Sequence, residues 1–309
     1  MNLRKDRSGA LDVFITALIV LAAVLAVVVY QAWVLGLEAA PIPSPEVVER
    51  TDTIEFDYIG SFEDGRVFGT SVKSVADDDV SYPKSLDYTY PADGTFNPVL
   101  STIGGGFVEP GAAPFLGMVN EGRALESAIL DMRVGETRVV TLQPEEAYGT
   151  TNVSLLETRS LVETVPQYEE MSTITYSQRF SEEGPPFEGK SLKDPFWGWD
   201  IYVYYLNRTN DLVIIRHNPT PGMVVTPYSQ WDTIVENVDS SANGGMGGIT
   251  VRHQLSPEDA DRVMGQSIHE KFIVASVDPE AGTFVADFND ERAGKVLYLR
   301  ITLLSISKI

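Results

Sequence analysis

The chain has 309 residues, 23 basic against 44 acidic side chains, a net charge of −21 and no cysteine. That length allows about two domains, and the missing thiols exclude a disulfide framework, thiolate metal ligands and thiol chemistry. The acidic excess argues against nucleic acid or anionic lipid headgroups as partners.

Residues 13–37 carry no formal charge over 25 positions, and at about 1.5 Å per residue a helix of that length crosses a bilayer core of about 30 Å. Arg4, Lys5 and Arg7 precede the run and Glu38 follows it. The positive-inside rule then places residues 1–12 in the cytoplasm and the body of the chain outside the cell membrane, single-pass. A cleaved signal peptide is the rival reading, but its apolar stretch is shorter, roughly 7–15 residues, and 36–40 is a poor small-residue cleavage site. Residues 38–50, with Pro41, Pro43 and Pro45, read as a semi-extended linker. The triplets Asn152-Val153-Ser154 and Asn207-Arg208-Thr209 match the glycosylation acceptor pattern, which suits an external location.

Along 53–60, Ile54, Phe56 and Tyr58 alternate with Glu55 and Asp57, the period of a half-buried strand. Glu63, Asp64 and Gly65 supply a hairpin turn before Val67 and Phe68. Residues 70–113 have scattered aromatics, several Gly and Pro and no clear period, so they read as a long loop or insertion. Leu125, Ala128, Ile129 and Met132 fall on one face of a short helix ended by Gly135. A strand over 136–142 is stopped by Pro144, and the turn that follows carries Tyr148. The final strand alternates Leu297, Leu299, Ile301 and Leu303 with polar residues and needs a partner sheet before residue 150.

Residues 151–293 have signals of their own. Trp199-Asp200 followed by a strand and Arg216-His217, and Trp231-Asp232 followed by a strand and Arg252-His253, look like two copies of one hairpin, with turns at 207–211 and 240–248. Ordinary hairpin chemistry also gives such pairs. A third hairpin turns at 278–282, and the region reads as a β-rich inserted domain. His217, His253 and His269 are expected on the surface of these hairpins. Asp77, Asp78 and Asp79 lack the regular spacing of a calcium loop and read as a solvated acidic run. Trp197, Trp199 and Trp231 suit either sheet core or a grip on extended polypeptide.

The strand ending Tyr58-Ile59-Gly60, Phe68 after its Asp-Gly hairpin, Leu125 on the helix, the Ala147-Tyr148-Gly149 turn and Leu299 in the last strand occur in an order that resembles the FKBP family of peptidyl-prolyl isomerases. SlyD-type members, which carry a domain inserted in a loop, are the most similar. The similarity covers roughly 51–71, 114–150 and 272–306. It implies an α+β, mainly β fold in which a half-wrapped antiparallel sheet, from 51–150 and 294–309, packs on a short helix and holds the substrate proline in an aromatic pocket. The residues so implied as catalytic are Tyr58, Phe68, Leu125, Tyr148 and Leu299, with Glu121, Gly122 and Phe115 at the substrate; Phe107 is the other candidate for the third pocket aromatic. Two positions depart from the pattern. Gly69 stands where an aspartate is usual, and Glu121-Gly122-Arg123 replaces a more apolar stretch.

Such a pocket needs neither metal nor cofactor. Rotation about an X–Pro bond is opposed by roughly 18–20 kcal/mol of lost amide resonance and takes tens to hundreds of seconds in water. The twisted amide is less polar across its C–N bond, so a water-poor apolar cleft raises the planar form relative to it, while a placed phenol holds the carbonyl. The reading that follows is a membrane-anchored isomerase with chaperone activity toward unfolded, proline-containing polypeptides. Two alternatives stand beside it: a polypeptide-binding chaperone with little or no catalysis, and an acidic cell-surface scaffold. Without the resemblance, Tyr58, Phe68 and Leu125 read as ordinary core side chains.

Overall fold

The computed structural model describes residues 17–27, 30, 46–108, 115, 118–267 and 270–308. The chain divides into two units, Met1–Glu46 and Val47–Ile309. In the first, residues 17–27 are helical with exposed side chains. Among the described residues no helix is long and apolar enough to cross a membrane, and 13–16, 28–29 and 31–37 of the apolar run lie outside them.

The second unit is α+β and mainly β. Its first sheet has β1 (Thr53–Ser61), β2 (Val67–Thr70), β3 (Val99–Thr102), β4 (Gly106–Val108) and β5 (Thr137–Leu142), closed by the last strand, β18 (Leu297–Ser307). The order is β4-β3-β1-β18-β5, with β2 also on β1. The strand forms for the reason its alternation suggests: Ile54, Phe56 and Tyr58 point inward with at most 3% exposure, opposite Ile306, Leu303 and Ile301 of β18. β18 lies between β1 and β5, pairing Tyr58 with Ile301 on one side and Val140 with Leu299 on the other. Chain ends far apart in sequence thus share one sheet. Helix α2 (Arg123–Ile129) covers it, burying Leu125 and Ile129 in the same apolar cluster as Phe56 and Leu299. This helix stops six residues before Gly135; Asp131, at φ 64°, turns the chain instead. The stretch 70–113 is more regular than its composition suggests, since it holds helix α1 (Lys73–Ala76), β3 and β4.

Three four-stranded sheets follow between residues 156 and 287. They are built from β6 (Leu156–Ser160), β7 (Val162–Pro166), β8 (Tyr168–Met171), β9 (Ser191–Lys193), β10 (Asp200–Asn207), β11 (Leu212–His217), β12 (Val224–Val225), β13 (Thr233–Asp239), β14 (Gly248–His253), β15 (Met264–Gln266), β16 (Lys271–Asp278) and β17 (Thr283–Asp287). The sheet orders are β8-β11-β10-β9, β12-β13-β14-β7 and β15-β16-β17-β6. Each is a short strand, a hairpin and one strand from 156–171, and the three incoming strands are allotted in reverse order.

The register shows three copies rather than two. A bulge interrupts each hairpin between Val203 and Tyr205, Val235 and Asn237, and Val274 and Ser276. The residues facing Val203, Val235 and Val274 are Ile215, Val251 and Ala286, and these in turn face Glu169, Glu163 and Glu157. Counting back from the bulges aligns Trp199 and Trp231 with Glu270, and counting forward aligns His217 and His253 with Phe288. The third copy escapes a search for Trp and His because both are replaced.

In the first two copies those residues form buried triads, which corrects the surface placement of two histidines. His217 and His253 are 1% and 2% exposed. Trp199 Nε1 donates to His217 Nδ1 at 2.9 Å, and Trp231 Nε1 to His253 Nδ1 at 3.2 Å. An indole N–H only donates, so each ring keeps its proton on Nε2, where it faces Glu169 at 3.3 Å or Glu163 at 3.0 Å. In the third copy Arg159 bridges Glu270 and Glu157 instead, at 2.7–3.0 Å. The buried indole and imidazole nitrogens of the two triads, and Arg159 in the third copy, thereby have partners. His269 lies outside the described residues.

Glu169 is held below the ordinary glutamate range by the hydrogen bond from His217, with Arg179 assisting against the opposing effect of burial. A carboxylate lowered in the folded state stabilises above its unfolded value and loses that contribution as pH falls through the folded one. Thermal melts are therefore expected to show Tm declining once pH drops below about 4.3, and Glu169→Gln to flatten that decline.

Candidate functional site

Five elements converge on one apolar cluster. β1 contributes Tyr58 and β18 contributes Leu299, both buried, and α2 contributes Leu125, which is fully buried. Phe68 of β2 and Tyr148 are partly buried and pack against the same cluster, as does Phe107. Tyr148 is placed by the 3₁₀ turn Pro144–Glu146, in which Gln143 and Glu146 cap each other reciprocally and Gly149 N–H donates to Pro144 O at 2.7 Å.

Two glycines shape the packing. A Cβ on Gly60 would lie 2.5 Å from the Phe68 ring, so the absence of a side chain lets that ring lie over β1. Gly122 has φ 75° and would place a Cβ 2.3 Å from Phe107; both constraints call for glycine there. Glu121 lies in the 3₁₀ turn Val119–Gly122, and its side chain is outside the described part of the structure.

Beside this cluster is a cavity of about 480 Å³. Tyr58 and Phe68 line it, together with Gly69, the 85–97 segment and Asp290, Glu291 and Arg292. The other implied residues do not. Leu125 and Leu299 are sealed in the core at 0% and 1% exposure, and Phe115 packs edge-on against Tyr58 with ring centres 4.8 Å apart. Phe115 also stacks on Phe107 at 5.0 Å, so both candidate third aromatics belong to one group around Tyr58. Gly122 is buried under Phe107.

Arg292 and Glu291 are absent from any sequence-based list. The Arg292 guanidinium lies 4.0 Å from the Tyr148 ring centre, donates from Nη1 to the Tyr148 hydroxyl at 3.0 Å, and is held by Asp290 at 2.6–2.7 Å. A hydroxyl that accepts from a guanidinium is polarised as a donor. Burial raises the Tyr148 phenol to about 12, Arg292 opposing the shift. It raises Tyr58 further still, with Tyr148 and Tyr88 adding to the effect. Both hydroxyls therefore keep their protons at neutral pH. Glu291, 5% exposed, accepts from the backbone N–H groups of Leu86 and Asp87 at 3.1 and 2.8 Å and ties the 85–97 segment to the stretch that precedes β18. Both residues sit in an irregular segment without apolar period. The one available signal is the reversal of charge in Asp290-Glu291-Arg292 just before the last strand.

Glu291→Ala leaves two N–H groups without their carboxylate, at a cost of about 0.5–1.5 kcal/mol for each hydrogen bond lost. Amide exchange at Leu86 and Asp87 is expected to accelerate, with exchange in β18 much less affected.

No protein-family model matches the chain. A short-type peptidyl-prolyl cis-trans isomerase of Methanocaldococcus jannaschii is 28% identical over 111 residues, which is 36% of this chain and 57% of that relative. The chain thus spans little more than half the length of the curated protein it matches, and it is a distant relative of a peptidyl-prolyl isomerase over about a third of its own sequence.

Proposed function

We propose that the protein is an FKBP-type peptidyl-prolyl cis-trans isomerase whose inserted region, 151–293, holds unfolded polypeptide while the first sheet turns over its prolyl bonds. The observation that carries this reading is that Tyr58, Phe68 and Tyr148 pack in one apolar cluster, of which Tyr58 and Phe68 border a cavity. There a prolyl ring would lie against Tyr58 and Phe68, and the polarised Tyr148 hydroxyl would hold the amide carbonyl as the bond twists. The apolar wall disfavours the planar, more polar amide; the donor follows the oxygen through the rotation. The apolar run 13–37 would tether the protein to the cell membrane, with the N-terminus cytoplasmic and the working part outside, where newly exported chains are substrates.

A second reading keeps the binding and drops the catalysis. It is favoured by the same packing: Leu125 and Leu299 are sealed, and Phe115 already occupies one face of the Tyr58 ring.

The two readings separate in the refolding of a substrate protein whose slow phase is prolyl isomerisation. The residue 46–309 portion is expected to accelerate that phase, and Tyr148→Phe to slow the acceleration about tenfold, the equivalent of one hydrogen bond of roughly 1.4 kcal/mol. Suppression of aggregation with no acceleration of the slow phase would favour the second reading.

A further inference from the structure

The cavity is larger than a proline requires. Its volume of about 480 Å³ falls in the range of small-ligand sites, roughly 300–1,000 Å³. Tyr58 and Phe68 line it together with residues of the 85–97 segment. A proline seated against Tyr58 and Phe68 would leave space in the cavity for its neighbours.

Two features of that space point to what it takes. Ser85 lines it and is 7% exposed, and among the described residues its hydroxyl has no hydrogen-bond partner. Such a group is explained by a ligand that supplies a partner, and a peptide backbone offers both N–H and C=O. The second feature is charge. Asp290 is neutralised by Arg292, Glu291 accepts from two backbone N–H groups and pairs with Arg66, and Asp87 pairs with Lys271. Asp93, also on the lining, accepts from Thr95 N–H at 2.9 Å, and no cation among the described residues pairs with it. Tyr88 and Phe96, also on the lining, face ammonium groups, Lys84 at 5.5 Å and Lys73 at 5.7 Å from their ring centres. Aromatic faces beside an uncompensated carboxylate favour a cation.

We infer that this cavity is a second subsite, continuous with the prolyl site, which binds the residues flanking the proline and selects a basic side chain among them. The inference rests on the isomerase reading above. Ser85 would hydrogen-bond the peptide backbone, and Asp93 would meet the cationic side chain.

The test uses the residue 46–309 portion and Leu-Pro peptides that differ only in carrying Lys, Ala or Glu at the flanking positions, with isomerisation and fluorescence-anisotropy binding both measured. The Lys peptide is expected to exceed the Glu peptide about three- to fivefold in kcat/KM and in affinity at low salt, the scale of one exposed ion pair. Raising the salt screens the preference, and Asp93→Asn abolishes it. Ser85→Ala is expected to weaken all three peptides alike. Equal turnover of the Lys and Glu peptides would overturn the subsite while leaving the isomerase reading intact. If none is turned over, the isomerase reading fails, and binding decides the subsite: equal affinities overturn it, and a preference for Lys that Asp93→Asn removes supports it.

Discussion

Phe68→Ala is expected to lower kcat/KM for a Leu-Pro peptide by about 10- to 100-fold, because a bound prolyl ring that covers this aromatic wall loses roughly 1.5–3 kcal/mol of apolar contact and each 1.36 kcal/mol is a tenfold change in rate. Phe68 both joins the apolar cluster and lines the cavity, and its ring lies 5.3 Å from that of Phe62. Truncation opens the wall to water, which solvates the planar amide and removes the reason for the cleft to disfavour it. The side chain is only partly buried and sits on the short strand β2, so the melting temperature should move much less than the rate. Kinetics by exchange spectroscopy and a melt on the same preparation check both halves. Full activity after truncation would remove Phe68 from the site.

Trp199→Ala carries the largest expected loss of stability. The indole is fully buried, stacks on Trp197 with ring centres 4.7 Å apart and planes 4° from parallel, and gives its N–H to His217. Large-to-small substitution of a buried aromatic costs about 3–5 kcal/mol, and the imidazole is left without its donor as well. Against a typical total of about 5–15 kcal/mol, the sheets of 156–287 should open in moderate urea. The cluster around Tyr58 does not include Trp199, so isomerisation of a short, unstructured peptide is expected to persist where capture of a long unfolded chain fails. Amide exchange in β10 and β11, read beside exchange in β18, measures whether the two regions open separately; simultaneous opening would show one cooperative unit.

The strands of the first sheet were legible because each buries a single face, so Ile54, Phe56 and Tyr58, or Leu297, Leu299 and Ile301, announce themselves by alternation. The incoming strands β6–β8 were not. Their residues are largely exposed or half-buried, and glutamates at 157, 163 and 169 conceal a six-residue period that matters only once three hairpins accept them. The histidines looked like surface residues because a lone imidazole at a strand end gives no hint of an indole 18 or 22 residues earlier; burial follows from the tertiary pairing alone. At the site, aromatic residues in strands could be placed, while Arg292, Glu291 and Ser85 could not, since their roles depend on where irregular segments from opposite ends of the chain meet. Leu125 and Leu299 illustrate the converse: their apolar character is consistent with a pocket floor, but the packing encloses them completely.

The most direct test is two-dimensional exchange NMR of a Leu-Pro peptide with substoichiometric residue 46–309 protein. Uncatalysed interconversion takes tens to hundreds of seconds; cis–trans exchange cross-peaks are expected to build up far faster than that, in proportion to protein concentration, and to fall back toward the uncatalysed rate with Phe68→Ala. Cross-peak growth indistinguishable from buffer, with a well-folded protein, would contradict a cleft walled by Tyr58 and Phe68 that lowers the prolyl barrier.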